Sequence, residues 1–502
     1  MVERTIEAIN EKIRDGSVNV VTAEEMTALV EELGVSEAAR RVDVVTTGTF
    51  GAMCSTGVFL NFGHSDPPIK MQRVWLNDVE AYTGIAAVDA YLGAAQLSDT
   101  RGMDYGGSYV IEDLLAGKEV TLRASAYGTD CYPRKHIETD ITLDDVNQAT
   151  MVNPRNAYQR YNAATNASSK PIYTYMGTLL PGCGNVTYSG AGVLSPLSND
   201  PEYRTIGVGT RIFLGGAPGY VTSEGTQHSP GGGFGTLMVT GDLKKMKREY
   251  LRAATFHKYG VSMYLGLGIP IPVLNEEIAR FTAVSDRDIG TAIYDYSVPR
   301  RSKPALRDVT YAELKSGMVD VNGKEVKASS LSSFYNARKV AYELKAWIKD
   351  GRFFLSAPAE RLSRTVIARP MRETRGLPLV KDVMNHNVST IRVGFSVDEA
   401  AKQIIKDKFN HLPVVDDGGR LVGIVTAWDV SKAVALSKRD RLDPIMTKNV
   451  ITVGPDDPVD VAARLLEKHN ISALPVVDRE RRVIGIVTGE GLSKLLAKGV
   501  AQ

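Results

Sequence analysis

The last quarter of the chain is written twice, and this repetition constrains the fold more than any other feature. Val383-Met384 recurs as Ile445-Met446, Thr390 as Thr452, Leu412-Pro413-Val414-Val415-Asp416 as Leu474-Pro475-Val476-Val477-Asp478, and Gly423-Ile424-Val425-Thr426 as Gly485-Ile486-Val487-Thr488. Every counterpart lies 62 residues on, as Met446 does from Met384, with no gap. A constant period over two full units means two copies of one supersecondary module. Each copy reads strand, helix, strand, strand, helix. The first copy is assigned to residues 380–438 and the second to 439–502. A stretch rich in Arg, Ser, Thr, Pro and Gly makes 361–379 a linker, and 1–360 a separate large unit.

The copies resemble the CBS domain, two of which pack as a pair. The resemblance implies a cleft for an adenosine derivative such as AMP, ATP or S-adenosylmethionine. In that family the signature Gly-h-h-Thr-x-x-Asp (h, apolar) puts a hydroxyl on phosphate and a carboxylate on ribose. The first copy carries it whole as Gly423, Thr426 and Asp429, whereas the second has Gly491 at the acidic position. One good site is therefore expected, centred on Thr426 and Asp429 and lined by Thr390 and Pro413. A pair used only for dimerisation is the alternative.

Composition excludes several classes. With 502 residues and 43% apolar side chains, the chain holds ample material for large cores. The 60 basic and 58 acidic residues leave a net charge of +2 with no long run of one sign, so no nucleic-acid partner is expected. The amino terminus is charged throughout, and the most apolar windows, 42–62 and 261–274, carry Gly, Thr, Pro or Asp. Neither a signal peptide nor a membrane span is expected, and the location is cytoplasmic. Three cysteines without framework spacing exclude a disulfide scaffold, and with Cys183 lying 52 residues beyond Cys131 there is no CxxC metal or redox pair.

In the large unit, helical spacing begins near Val2 and runs to residue 14. A capping box at Thr22-Ala23-Glu24-Glu25 starts a second helix that Gly34 stops. Residues 42–46 read as a buried strand leading into Gly48, Gly51 and Gly57 around Cys54. Helices are expected at 85–97, 107–115, after Thr142, at 156–166, 242–256 and 334–349. Strands are expected at 119–124, 210–214, 236–240 and 261–267, with a hairpin turned by Asn322-Gly323. Tyr158 and Tyr161 fall at helical spacing and read as core. The alternation argues for a mixed α/β (α+β) large domain.

The stretch Ser125-Ala126-Tyr127-Gly128-Thr129-Asp130-Cys131-Tyr132-Pro133-Arg134-Lys135-His136 places Cys131 in a tight loop at a strand end. A free thiol, with a pKa of about 8.5, is only slightly ionised at neutral pH, so reactivity depends on neighbours. Arg134, Lys135 and His136 favour the thiolate and Asp130 opposes it. The alternative is a small buried apolar cysteine. The glycine-dense segment 215–235 fits no standard phosphate-binding fingerprint. It could still take a small anion or carboxylate on its backbone N–H groups, and its one titrating group is His228.

Tyr-Gly-Thr-Asp-Cys-Tyr-Pro at 127–133 and Gly51-Ala52-Met53-Cys54-Ser55 resemble the homocysteine biosynthesis family of archaea and anaerobic bacteria. Across residues 1–360 the resemblance implies reductive transfer of sulfur to L-aspartate semialdehyde, making homocysteine. It places a persulfide on Cys131 and the second cysteine at Cys54. It also implies sulfide or another sulfur donor, and a small iron-sulfur, ferredoxin-like protein that supplies electrons. Attack of the persulfide on the aldehyde leaves a sulfur-sulfur bond that two electrons must cleave. Cys54 is the expected resolving thiol, which requires the two Cα atoms to approach to about 5.5–6 Å. The catalytic set is then Cys131, Cys54 and His228 as the acid, with His136 and His64 as alternative acids. No metal and no covalently bound cofactor are expected, and the assembly is a homodimer. S-adenosylmethionine in the CBS cleft would suit a sulfur pathway. Two other readings stand beside this one: a different CBS-regulated cysteine enzyme, for which no cofactor fingerprint is present, and a nucleotide-sensing regulator that does no chemistry.

Overall fold

The computed structural model describes residues 3–372, 378–437 and 440–493, and the chain divides into two units, 1–369 and 370–502. In the first unit antiparallel sheets dominate. The largest runs Leu251–Phe256, Gly260–Gly268, Arg211–Leu214, Ala217–Glu224, Leu237–Asp242, Gln148–Asn156, Gly57–Asn61, Asp89–Gly93, and Thr49–Ala52 also pairs with Gly260–Gly268. A second sheet joins His136–Ile141, Val120–Ser125, Arg73–Leu76, Val79–Ala81, Leu97–Ser98 and Gly102–Gly106. A third joins Ala305–Thr310, Gly290–Asp295, Ala163–Thr165, Asn185–Tyr188, Lys324–Ser330 and Met318–Val321.

Several elements form where the sequence places them. Thr22 and Glu25 close the capping box reciprocally, and Ser333 caps the helix Phe334–Lys349. Asn322 and Gly323 take φ of 55° and 80°, the left-handed pair that a tight hairpin needs. The helix Gly107–Leu115 is also present. The first helix is Ile6–Asp15; Val2 lies outside the described residues.

Four expected helices are not helices. Residues 85–97 hold the strand Asp89–Gly93, in which Ala90 and Leu92 are buried and Gly57–Asn61 pairs along the full length. Small residues suited a helix, but the alternation and the long-range partner win. Residues 242–256 make two 3₁₀ turns and then the strand Leu251–Phe256, a hairpin with Gly260–Gly268. Residues 156–166 leave the strand Gln148–Asn156 through Ala157 at φ 47°, a backbone that ends any helical register. At Thr142 the short helix is a turn instead, its N–H and hydroxyl both donated to the Asp145 carboxylate. The unit is a mixed α+β domain in which the antiparallel sheets carry the core.

The helix Phe334–Lys349 buries Ala337, Val340, Ala341 and Leu344. It packs close because glycines face it: a Cβ on Gly48 would overlap the Ala337 carbonyl oxygen, and one on Gly268 would meet Val340 Cγ1 at 2.9 Å. Backbone cannot step aside as a side chain does. Gly48→Ala is therefore expected to cost about 3 kcal/mol and lower the calorimetric melting temperature by several degrees; an unchanged melt would contradict this close approach.

The stretch expected as a linker from 361 is docked over its first half. Leu362 is buried, the Ser363 N–H donates to Glu224, and the Ala368 N–H donates to Ser229. Residues 373–377 of that linker lie outside the described residues.

In the second unit each copy borrows the other's opening segment. Val380, Val383 and Met384 pack in the core of the second copy with Leu474, Val476 and Val487. Leu442, Ile445 and Met446 pack in the core of the first with Leu412, Val414 and Val425. The backbone repeats the exchange, Asn385 N–H donating to Ile486 C=O and Ile424 N–H to Thr447 C=O, both at 2.9–3.0 Å. Gly423 and Gly485 recur because a Cβ would meet Met446 Sδ at 2.6 Å and Met384 Sδ at 2.7 Å. The sequence boundary at 438/439 is thus not the packing boundary; residues 438, 439 and 494–502 lie outside the described residues. Among the described residues no helix is long and apolar enough to cross a membrane.

Candidate active site

Cys131 stands at the tip of a loop closed by paired strands. Ser125 is in register with His136, and the Ala126 N–H donates to the Lys135 carbonyl at 2.8 Å. Gly128 turns at φ 80° beneath the Lys135 side chain, where a Cβ would meet Cε at 2.9 Å. Thr129 and Tyr132 then exchange backbone hydrogen bonds at 2.9 and 3.1 Å, which leaves Asp130 and Cys131 as the projecting pair. The thiol is exposed, with Thr129 Oγ1 3.5 Å from Sγ. Arg134 is spent elsewhere: its guanidinium donates to the Asp66 carbonyl and its N–H to that of Pro68. Tyr132 stacks on His64 with ring centroids 5.8 Å apart. His64 and His136 therefore flank this loop.

Cys54 sits in the turn between Thr49–Ala52 and Gly57–Asn61, closed by the Thr56 N–H on the Met53 carbonyl at 3.0 Å. Asn153, fully buried, holds the turn by donating to Thr56 Oγ1 and accepting from Ser55 Oγ. The Cys54 thiol is exposed into a cavity of about 410 Å³ whose wall includes Arg155, Tyr158, Tyr161, Tyr175, Tyr259 and Tyr296. The Tyr158 and Tyr161 rings lie 4.3 Å apart, and the Tyr175 and Tyr296 hydroxyls are 2.8 Å apart. Burial pushes the Tyr158 hydroxyl up to about 12 and raises those of Tyr161, Tyr259 and Tyr296 as well. These phenols stay protonated at neutral pH and act as donors. Helical spacing misled here, because the segment is not a helix. Both rings do pack against the core; the usable signal for the cavity was the polar company they keep, Arg155, Gln159, Arg160 and Asn162.

The two exposed thiols form no disulfide. Cys131 is not on the wall of the Cys54 cavity, and both cysteines are free. The strand Gly57–Asn61, roughly 13 Å from end to end at 3.3 Å per residue, follows the Cys54 turn and leads toward His64 beside the Cys131 loop. Cys183 is buried beside Val186 and Tyr188, a structural residue.

His228 is not placed to be the acid. Its ring is 5% exposed, Nδ1 lies 3.0 Å from the Thr236 N–H, and Nε2 is 3.0 Å from the Ser363 carbonyl. With both nitrogens held by backbone it fastens the glycine-rich loop to the segment at 363, and its neighbour Gln227 reaches the cavity instead.

In the second unit a cleft of about 780 Å³ is walled by Thr426 and Trp428 of the first copy and Thr488 and Gly491 of the second, together with Phe409 and His411. Asp429 closes the capping box of the helix Ala427–Ala435, its carboxylate accepting the Thr426 N–H at 2.8 Å and hydroxyl at 2.6 Å. The Thr488 hydroxyl accepts the Gly491 N–H at 3.1 Å. Of the expected site residues Thr426 lines the cleft, whereas Asp429, Pro413 and Thr390 are not on its wall. Pro413 is buried within the strand His411–Val415 opposite Ile424, and Thr390 gives its carbonyl to Gln403. Burial lowers the His411 pKa, and its Nε2 lies 2.7 Å from Ser472 Oγ across the cleft.

The sequence matches the family described as "Homocysteine biosynthesis enzyme, sulfur-incorporation" over residues 18–355, and the CBS domain over 380–436 and 442–498. The L-aspartate semialdehyde sulfurtransferase of Methanosarcina acetivorans is 62% identical over 498 residues, 99% of this chain and 100% of that protein. The enzyme of the same name from Methanocaldococcus jannaschii is 56% identical over 510 residues, 99% of each. A CBS domain pair solved in complex with 5′-methylthioadenosine and S-adenosyl-L-methionine is 49% identical and covers 24% of this chain and 98% of that one, with a TM-score of 0.24.

Proposed function

This chain belongs to the homocysteine biosynthesis, sulfur-incorporation family and is a sulfur-transferring enzyme, and on that premise we propose that it converts L-aspartate semialdehyde to homocysteine in the cytoplasm, with Cys131 carrying the sulfur as a persulfide. The observation that supports this most is the pattern of thiol exposure: Cys131 and Cys54 are open and Cys183 is not. A carrier must meet its donor, and a thiol at a loop tip does so without opening the fold.

The terminal sulfur of the Cys131 persulfide adds to the aldehyde carbon while a proton goes to the carbonyl oxygen. Two electrons and two protons cleave the sulfur-sulfur bond, freeing the Cys131 thiol and a hydroxythiol. Loss of water and a further two electrons and two protons give the homocysteine thiol. Four electrons from a persulfide require an outside donor, which the ferredoxin-like iron-sulfur partner supplies. Cys54 serves the first cleavage by attacking the Cys131 sulfur, and the resulting disulfide takes two of those electrons. Contact between the two thiols is made by movement of the loop 126–135, bending at Gly128 and Pro133.

The CBS pair senses an adenosine ligand, AMP, ATP or S-adenosylmethionine, through the Thr426 half of its cleft, and pairs the enzyme as a homodimer. Asp429→Ala removes both the proposed ribose acceptor and the return half of the Thr426 capping box. By calorimetric titration it is expected to weaken S-adenosylmethionine binding about tenfold or more, at about 1 kcal/mol of stability. Equal binding by the variant would remove Asp429 from the site.

The activity is tested with the purified full chain, L-aspartate semialdehyde, a sulfane-sulfur donor such as polysulfide, which loads the Cys131 thiol without an added oxidant, and a strong chemical reductant. Homocysteine in the products supports the proposal; its absence with every reductant tried, including a reduced iron-sulfur protein, overturns it.

A further inference from the structure

The Cys54 cavity has a chemistry of its own. Cys54 and Arg155 share its wall, and no aspartate or glutamate does. The two are linked locally, because Ser55, next in the chain to Cys54, donates its hydroxyl to the Arg155 carbonyl at 3.4 Å. The Arg155 guanidinium is steadied through Nε on Thr226 Oγ1 at 3.1 Å, and among the described residues it makes no ion pair. A cation kept beside aromatic rings without a counter-ion is an open acceptor for a planar anion. The wall also carries five tyrosines among its Met, Phe, Ser, Asn and Gln side chains, and tyrosine ring faces attract an ammonium group while the neutral hydroxyls donate to a carbonyl oxygen. Carboxylate, ammonium and carbonyl are the three groups of a short α-amino acid that carries an aldehyde.

We propose that this cavity is the amino-acid subsite: Arg155 pairs the substrate's α-carboxylate, the tyrosine faces hold its ammonium group, and its aldehyde lies toward Cys54. The assignment rests on the reading that the electrophile is an amino-acid aldehyde, and it divides the work between two places. Sulfur is loaded at the exposed loop of Cys131, and the carbon acceptor waits at Cys54. Tyr158 and Tyr259, which share the wall with Cys54, replace histidine as proton donors to the aldehyde oxygen.

The test uses the full chain with Arg155→Gln and Arg155→Lys. Arg155→Gln is expected to raise KM for L-aspartate semialdehyde by roughly 30- to 100-fold, with the lysine variant in between, while uptake of one sulfur atom by Cys131 is unchanged. An unaltered KM in both variants overturns the subsite. A second readout needs no turnover: L-homoserine, which keeps the carboxylate and ammonium but lacks the aldehyde, should protect Cys54 from iodoacetamide in the unaltered protein and not in Arg155→Gln. Failure to protect Cys54 in the unaltered protein also overturns the subsite. Protection without homocysteine formation would instead leave the subsite standing and remove the sulfur-transfer reading.

Discussion

Cys131→Ser is expected to lose homocysteine formation by at least about 1,000-fold, because serine can neither hold a sulfane sulfur nor release one. The substitution exchanges one small side chain for another at an exposed loop tip, where the thiol lies 3.5 Å from Thr129 Oγ1. The melting temperature should stay within about a degree, since surface changes away from packed features are nearly neutral. Intact-mass analysis after treatment with a sulfur donor separates the steps. The unaltered protein should gain one sulfur on the peptide containing Cys131, and the variant should not. Undiminished turnover by Cys131→Ser would end the carrier role whatever the mass spectrum shows.

Cys54→Ser is expected to give a different failure. Its Cys131 should load sulfur normally, because the two thiols open to different surroundings. Turnover should then fall by about 100-fold or more, since the thiol that cleaves the sulfur-sulfur bond is gone. Under limiting reductant the substrate carbon should remain attached to Cys131 as a disulfide-linked adduct, visible by mass. If Cys54→Ser turns over normally, the reductant acts on Cys131 directly and Cys54 is only part of the cavity wall. The pair of variants thus orders the two cysteines in time, which neither does alone.

Local signals were read well where the chain itself settles the structure. The Thr22 capping box, the Asn322-Gly323 turn and the helix Phe334–Lys349 depend on residues near in sequence, and each formed as expected. The strands Asp89–Gly93 and Leu251–Phe256 were read as helices because what decides them is a distant partner, Gly57–Asn61 in one case and Gly260–Gly268 in the other. The same limit applies to the site. Cys54 and Cys131 were visible from their loops. Tyr158 and Tyr161 do pack against the core as their spacing suggested, but Ala157, at φ 47°, breaks the expected helix and leaves both on the wall of the Cys54 cavity. His228 drew attention as a rare titrating group in a glycine loop, yet its partners, Thr236 and the carbonyl of Ser363, include one 135 residues away.

The traded opening segments of the two CBS copies carry a consequence for how such a regulator spreads between proteins. A single copy cut out by recombination would carry Val380, Val383 and Met384 bare and lack the Leu442, Ile445 and Met446 that complete its own interior. Only the doublet can be transplanted, so whatever it senses travels with it as one heritable package.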